Sequence, residues 1–237
     1  MGTSLQTYNL IAIAGLKNTG KDTAAKMLYY LLNAPKCFRT YRWYNWLKKW
    51  PFKNKWHITA FAKPLKETLS IIMNKPLCWF DNRQNKENMY VDLQTLKTYQ
   101  KFKLYDDLKL SESKFQKLLK TENPIPQEYL LSIRQLMQYY GTSVIRRFLG
   151  DKVWINATLN KTNNHNLIVS DLRFKIELEE IKKRGGCCIY IVRNGTEPGL
   201  HSSEREVIEM NNDKQFDYIV CNDGDLEDLF NCLKNII

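Results

Sequence analysis

Residues 8–14, YNLIAIA, form a short apolar run whose length and content of β-formers predict a strand buried on both faces. From residue 22 to residue 32 the pattern changes, and Ala, Met and Leu recur at helical spacing. Further apolar runs at 58–61, 167–170, 187–192 and 218–221 predict four more strands, and residues 65–73, 129–140, 176–184 and 226–233 carry helical periodicity around them. Strands that alternate with helices predict a three-layer α/β/α fold, a parallel sheet covered on both faces.

Two stretches fall outside this rhythm. Residues 36–56, KCFRTYRWYNWLKKWPFKNKW, mix basic side chains with four tryptophans. Residues 74–126 are a long, polar, Lys-rich connection with helical pieces and the breaker Asn123-Pro124-Ile125-Pro126. Both read as helical insertions on one domain spanning 1–237, a length that at 43% hydrophobic content can bury a substantial core. The chain shows no internal repeat and no low-complexity tract.

The first strand and the first helix are joined by GLKNTGKDT, residues 15–23. A glycine turn after a strand points successive backbone N–H groups inward, and the helix that follows adds its positive end. Phosphate oxygens then find donors without a side chain. Gly15 and Gly20 permit that path around Asn18, Lys21 would bridge the transferring phosphoryl group, and Thr23 can reach a phosphate or a magnesium-bound water. The common phosphate-loop spelling, G-x-x-x-x-G-K-[ST], puts the hydroxyl directly after the lysine, whereas here Asp22 intervenes. Asp22 can orient a magnesium-bound water or meet the acceptor phosphate through a donor. The bland alternative is a strand-to-helix turn capped by Asp22.

Downstream, the apolar strand 167–170 ends in Asp171, which belongs at the carboxyl edge of the sheet where open α/β folds bind ligands. Such an acid can hold a magnesium-bound water or the acceptor's sugar or base, and Arg173 can meet a phosphate. Alternatively, Asp171 caps the helix beginning near Phe174 and Arg173 is a surface charge. In RQLMQYYGTSVIRR, Arg134 and Gln138 are four apart and share a helix face. Gly141 and Thr142 lie where one helix ends and the next begins, with Thr142 as its cap.

The late threonine of the loop resembles adenylate kinase and its relatives, which spell G-x-x-x-x-G-K-G-T. GKDT itself resembles the deoxynucleoside monophosphate kinases of tailed phages and some large viruses. So do four later blocks, in that family's order: AFAKPLKETL (60–69), RQLMQYYGTSVIRRFLGDKVW (134–154), VSDLRFKIELEEIKKRGG (169–186) and FDYIVCNDGDLEDL (216–229). The resemblance covers roughly half the chain and leaves 36–56 and most of 74–126 unmatched. It implies a nucleoside monophosphate kinase-like fold and ATP-dependent phosphorylation of deoxynucleoside 5′-monophosphates to diphosphates, with magnesium. It also implies roles. Lys21, Arg173 and Asp171 are the catalytic candidates, and Arg193 opens a lid at about 193–205 that can close over ATP. Asn222 lies where such folds present loop backbone to adenine, unless Asp223 or Asp225 simply caps the next helix. Lys63, Arg83, Arg134, Gln138, Gly141, Thr142 and Trp154 are acceptor candidates, with Trp154 alternatively core. His201 and Glu204 resemble lid-end residues.

Composition changes the picture only at its margins. Thirty-six Lys and Arg against 25 Asp and Glu give +11, which suits phosphorylated partners without separating nucleotide from nucleic acid. Cations interleaved with rings in 36–56 keep open a nucleic-acid-binding P-loop protein, and the cradle alone would also suit a small-molecule kinase of the dephospho-coenzyme A kinase type. Six cysteines without a C-x-x-C pair, and three histidines away from zinc-ligand spacing, point away from structural zinc. With no basic leader and no apolar run near 20 residues, the expected setting is cytoplasmic, the host cytoplasm for a phage or viral chain. A homodimer would suit the aromatic insertion.

Overall fold

The computed structural model describes residues 5–47, 55–88, 90–91, 131–160, 166–197 and 202–237. They fall into two compact units, Met1–Lys63 with Trp154–Ile237, and Pro64–Val153. The strands are β1 (Leu10–Gly15), β2 (Trp56–Thr59), β3 (Tyr90–Val91), β4 (Leu131–Ser132), β5 (Asn166–Leu172), β6 (Cys187–Val192) and β7 (Tyr218–Cys221).

In the first unit a five-stranded sheet runs β2-β5-β1-β6-β7 with every pairing parallel. β1 lies at its centre, Ile11 standing opposite Ile168 on one side and Cys187 on the other. A strand paired on both edges and covered on both faces has no place for a polar side chain, which accounts for LIAIAG. Ile11 and Ile13 enter one core with Ala24, Met27, Leu28 and Leu31 of α1 (Lys21–Asn33) and Leu229, Phe230 and Leu233 of the C-terminal helix Leu226–Lys234. Ala12 and Ala14 enter the opposite core with residues of helices Val153–Leu159, Lys175–Lys183 and Ser202–Asn212. The parallel sheet, helices on both faces and glycine turn after the central strand make the P-loop α/β/α fold expected from the sequence.

β2 begins two residues before the apolar run predicted because Trp56 and His57 pair with Asn166 and Leu167 of β5, and it ends at Thr59, ahead of helix α3 (Ala62–Met73). Trp56 is therefore a buried strand residue, 4% exposed, rather than the end of the aromatic insertion. Within that insertion, α2 (Tyr41–Leu47) presses its rings onto the core. The Tyr44 ring lies 5.3 Å from Tyr30 and 5.5 Å from Phe230, and Trp43 packs on Phe38 at 5.0 Å. Trp46 is 78% exposed. Most described rings of this stretch serve packing, and Trp50 lies outside the described residues.

The second unit contains most of α3, then α4 (Leu77–Asp81), α5 (Arg83–Asn88), the antiparallel pair β3–β4, and a helical run of α6 (Ile133–Gln138), a π-helical segment Tyr139–Arg146 and α7 (Arg147–Leu149). Ser132 caps α6 reciprocally with Gln135: the Gln135 N–H donates to Ser132 Oγ at 3.2 Å and the Ser132 N–H to Gln135 Oε1 at 2.9 Å. The sequence suggested a helix ending near residue 140 and a second helix capped by Thr142. Instead the chain stays helical past Thr142 by taking π turns, so Thr142 caps nothing. Gly141 is buried at that point, where a Cβ would stand 2.9 Å from Leu65 Cδ2, so the side-chain-free position admits α3 closely. Most of the connection 74–126, including its proline breaker, lies outside the described residues.

Candidate active site

The turn between β1 and α1 is braced by its own hydrogen bonds. Asn18 and Gly20 both take left-handed backbone, with φ of 67° and 91°. Between them Thr19 is fully buried and its hydroxyl donates to Leu16 O at 3.0 Å. The Lys21 ammonium donates to the same carbonyl, also at 3.0 Å, which ties the charge to the rim of the loop. From behind, Asn222 Nδ2 donates to Thr19 O at 2.8 Å. Both glycines are demanded by packing: a Cβ on Gly15 would lie 2.8 Å from Ile191 O, and one on Gly20 would strike Asn222 Nδ2. Gly20→Ala therefore combines a clash with an unfavourable φ and should cost about 1–3 kcal/mol of stability while weakening donor binding. Thermal melting and the KM for the phosphoryl donor check this.

Lys21 is half-buried at the start of α1, and burial holds its pKa below the ordinary lysine value, helped by the nearby positive charge of Arg173. Asp22, Glu204 and Asp171 act in the opposite direction. These five charged groups share one electrostatic neighbourhood, although they come from the loop, from β5 and the turn after it, and from the helix Ser202–Asn212. Beside the loop is a cleft of about 370 Å³ lined by Lys17, Asn18, Arg193, Asn194, Thr196 and Glu204, among others. It brings residues of the phosphate loop and of the turn after β6, Arg193 among them, to one cleft.

Asp171 has a specific structural duty. Its carboxylate accepts the backbone N–H of Phe61 at 2.6 Å and of Ala62 at 3.0 Å, which opens α3. It does not cap the helix that follows it in sequence; Glu177 does, accepting the N–H of Arg173 at 2.9 Å and of Phe174 at 3.1 Å. Asp171 thus fastens β5 to the start of α3 while standing in the field of Lys21. Arg173 is exposed, Thr23 is half-buried and Asp22 is exposed on the first turn of α1.

The remaining candidates divide. Lys63 is exposed at the start of α3, and Trp154 is 7% exposed, a core placement that leaves little ring surface for a base. In the second unit Arg134 is half-buried on α6, Gln138 and Thr142 are exposed, and all lie with Gly141 on the single helical run. Arg83 opens α5, and its side chain lies outside the described residues, as does His201. Lys17, Asn194 and Thr196 were not among the candidates read from the sequence; the available signals were the loop GLKNTGKDT for Lys17 and RNGTE, directly after an apolar strand, for Asn194 and Thr196.

A glycine turn between the central strand of a parallel sheet and the helix that follows it is the arrangement of a P-loop protein. The chain belongs to the deoxynucleotide monophosphate kinase family, whose model matches residues 65–233. It is similar to the deoxynucleotide monophosphate kinase of Enterobacteria phage T4, 25% identical over an alignment of 255 positions that covers 96% of this chain and 98% of that protein. It is also similar to the deoxynucleotide monophosphate kinase of Escherichia phage RB69, 30% identical over 113 residues, 45% of each chain. The family match begins beyond the phosphate loop, so loop geometry and family membership are separate observations. Among the described residues no helix is long and apolar enough to cross a membrane.

Proposed function

We propose that the chain transfers the γ-phosphoryl group of ATP to a deoxynucleoside 5′-monophosphate, giving a deoxynucleoside diphosphate and ADP for deoxynucleoside triphosphate synthesis. The observation that carries this reading is the Lys21 ammonium, tied at 3.0 Å to Leu16 O of the glycine turn and standing in the field of Arg173. An oxygen of the acceptor phosphate forms the new bond to the γ-phosphorus as the bond to the β,γ-bridging oxygen breaks, and ADP leaves. The protein's contribution is positioning and charge. Lys21 and Arg173 offset the negative charge that spreads over the transferring group. Loop amides hold the donor phosphates, and Arg193 and Lys17 supply cations on the cleft wall.

No group of three or more acidic, histidine or cysteine side chains that could hold a metal occurs among the described residues. Magnesium carried by nucleotide phosphates needs only one or two protein oxygens, and Thr23 with Asp22 supplies the right donor type. When bound, the ion would supply positive charge to offset that of the donor phosphates. For the acceptor, the support is the resemblance of residues 134–154 to the family's acceptor segment, which nominates Arg134, Gln138, Gly141 and Thr142; Lys63 and Arg83 are nominated likewise. The host cytoplasm is the setting proposed, since the relatives named are phage proteins.

Packing of Tyr44 and Trp56 into the core removes much of the support for a nucleic-acid reading of the aromatic insertion. A coupled ADP-release assay with ATP, magnesium and each deoxynucleoside and ribonucleoside monophosphate in turn tests the proposal. ADP release that depends on at least one deoxynucleoside monophosphate is the expected outcome. Release only with pantetheine compounds, or with no nucleotide acceptor at all, would overturn it.

A further inference from the structure

The turn after β7 touches both walls of the cleft beside the phosphate loop. The Asn222 N–H donates to Val192 O at 2.8 Å, continuing the β6–β7 pairing one residue past β7, so Asn222 and Asp223 emerge at the carboxyl end of the sheet. The buried Asn222 carboxamide holds the phosphate loop through Thr19 O at 2.8 Å. One residue later Asp223 grips the opposite wall with both oxygens: Oδ1 accepts the Asn194 N–H at 2.6 Å and Oδ2 accepts Asn194 Nδ2 at 2.7 Å.

The helix-cap duty expected of Asp223 or Asp225 falls to the latter. Asp225 Oδ1 accepts the N–H groups of Glu227 and Asp228 at 2.8 and 2.9 Å, which releases Asp223 for Asn194. The turn that Asp223 holds is closed on itself, with Thr196 Oγ1 donating to Arg193 O at 2.6 Å and Gly195 at φ 73°. A displacement of Asn194 therefore carries Arg193 with it.

We propose that the Asn222–Asp223 pair is a positioning device for the donor nucleotide, one residue setting the phosphate loop and the next setting the Arg193 turn, so that both walls are registered from one point of the chain. The inference rests on reading this cleft as the donor site. Neither side chain has to touch the nucleotide for the device to work.

The test compares Asp223→Ala, Asn194→Ala, the double variant and Asp223→Asn in steady-state kinetics with ATP and the preferred deoxynucleoside monophosphate. Loss of a carboxylate that takes two hydrogen bonds should raise the KM for ATP about tenfold, while kcat and the acceptor KM move less than about threefold. The double variant should be no worse than either single one, because each already breaks the same contact. Asp223→Asn should recover most of the loss, since its carbonyl still accepts the Asn194 N–H. Hydrogen exchange at the Asn194 amide should quicken in Asp223→Ala. Equal rises in both KM values, additive losses in the double variant, or an unshifted Asp223→Ala beside an active wild type would each overturn the inference alone. A wild type that neither binds ATP nor releases ADP overturns the donor reading and this inference together.

Discussion

Lys21→Ala should lower phosphoryl transfer by about 10²–10³-fold, because it removes a preorganised cation aimed at charge that develops only in the transition state. The fold should survive. The lysine pays for its place: burial and Arg173 push its pKa down, so the folded chain releases this proton more readily than the unfolded chain does. A native state that binds fewer protons than the unfolded state gains stability as pH rises. The penalty from Lys21 is therefore complete below its lowered folded pKa and is relieved as pH climbs from there towards the ordinary lysine value of 10.5. At neutral pH the alanine variant escapes that penalty but loses the bond to Leu16 O, so its melting temperature should stay close to that of the wild type. Single-turnover rates and thermal melts read the two effects separately. Turnover within threefold of wild type would remove Lys21 from the chemistry.

Asp171→Ala should damage stability and activity together. The carboxylate takes two backbone amides at the start of α3, so its removal leaves the Phe61 and Ala62 N–H groups without their acceptor. The cost should be about 2 kcal/mol, a fall of roughly 4–8 °C in melting temperature for a chain of this size. Asp171→Asn separates the two roles, since it keeps one acceptor oxygen and removes the charge that faces Lys21. If the carboxylate also serves the reaction, this variant loses far more activity than its melting temperature implies. A melting temperature unchanged in Asp171→Ala would refute the tether between β5 and the start of α3.

The contrast between these two residues shows how much the sequence made legible. Lys21 was readable because its role depends on neighbours within one turn: strand, glycines, helix. β6 was readable to the residue because parallel pairing and two covered faces leave an unbroken apolar run between polar turns, and β7, though it lies at the sheet edge with Ile219 exposed, keeps the same short apolar spelling. Asp171 was found as a candidate, but its partners are 110 and 109 positions away, and that distance moved the end of β2 and the start of α3 off the local hydrophobic pattern. Asn222 was legible only as a place where loop backbone could meet adenine, and its side-chain contact with Thr19, 203 positions upstream, was not. The π-helical passage through Gly141 and Thr142 was hidden for a different reason: glycine followed by threonine spells helix end and cap, and the packing of Leu65 against Gly141 overrode that local preference. The helix Ser202–Asn212 escaped notice because it buries little beyond Val207 and Met210 amid charged neighbours.

The central claim is that the amides of residues 15–23 enclose the phosphate chain of the donor. The most direct measurement is a crystal structure with a bisubstrate analogue, adenosine joined through five phosphates to a deoxynucleoside. Phosphates lying within hydrogen-bonding distance of the Gly20, Lys21 and Thr23 amides, with the Lys21 ammonium turned from Leu16 O onto them, are the expected result. An analogue bound elsewhere, with the loop unchanged and Lys21 still on Leu16 O, would contradict the account.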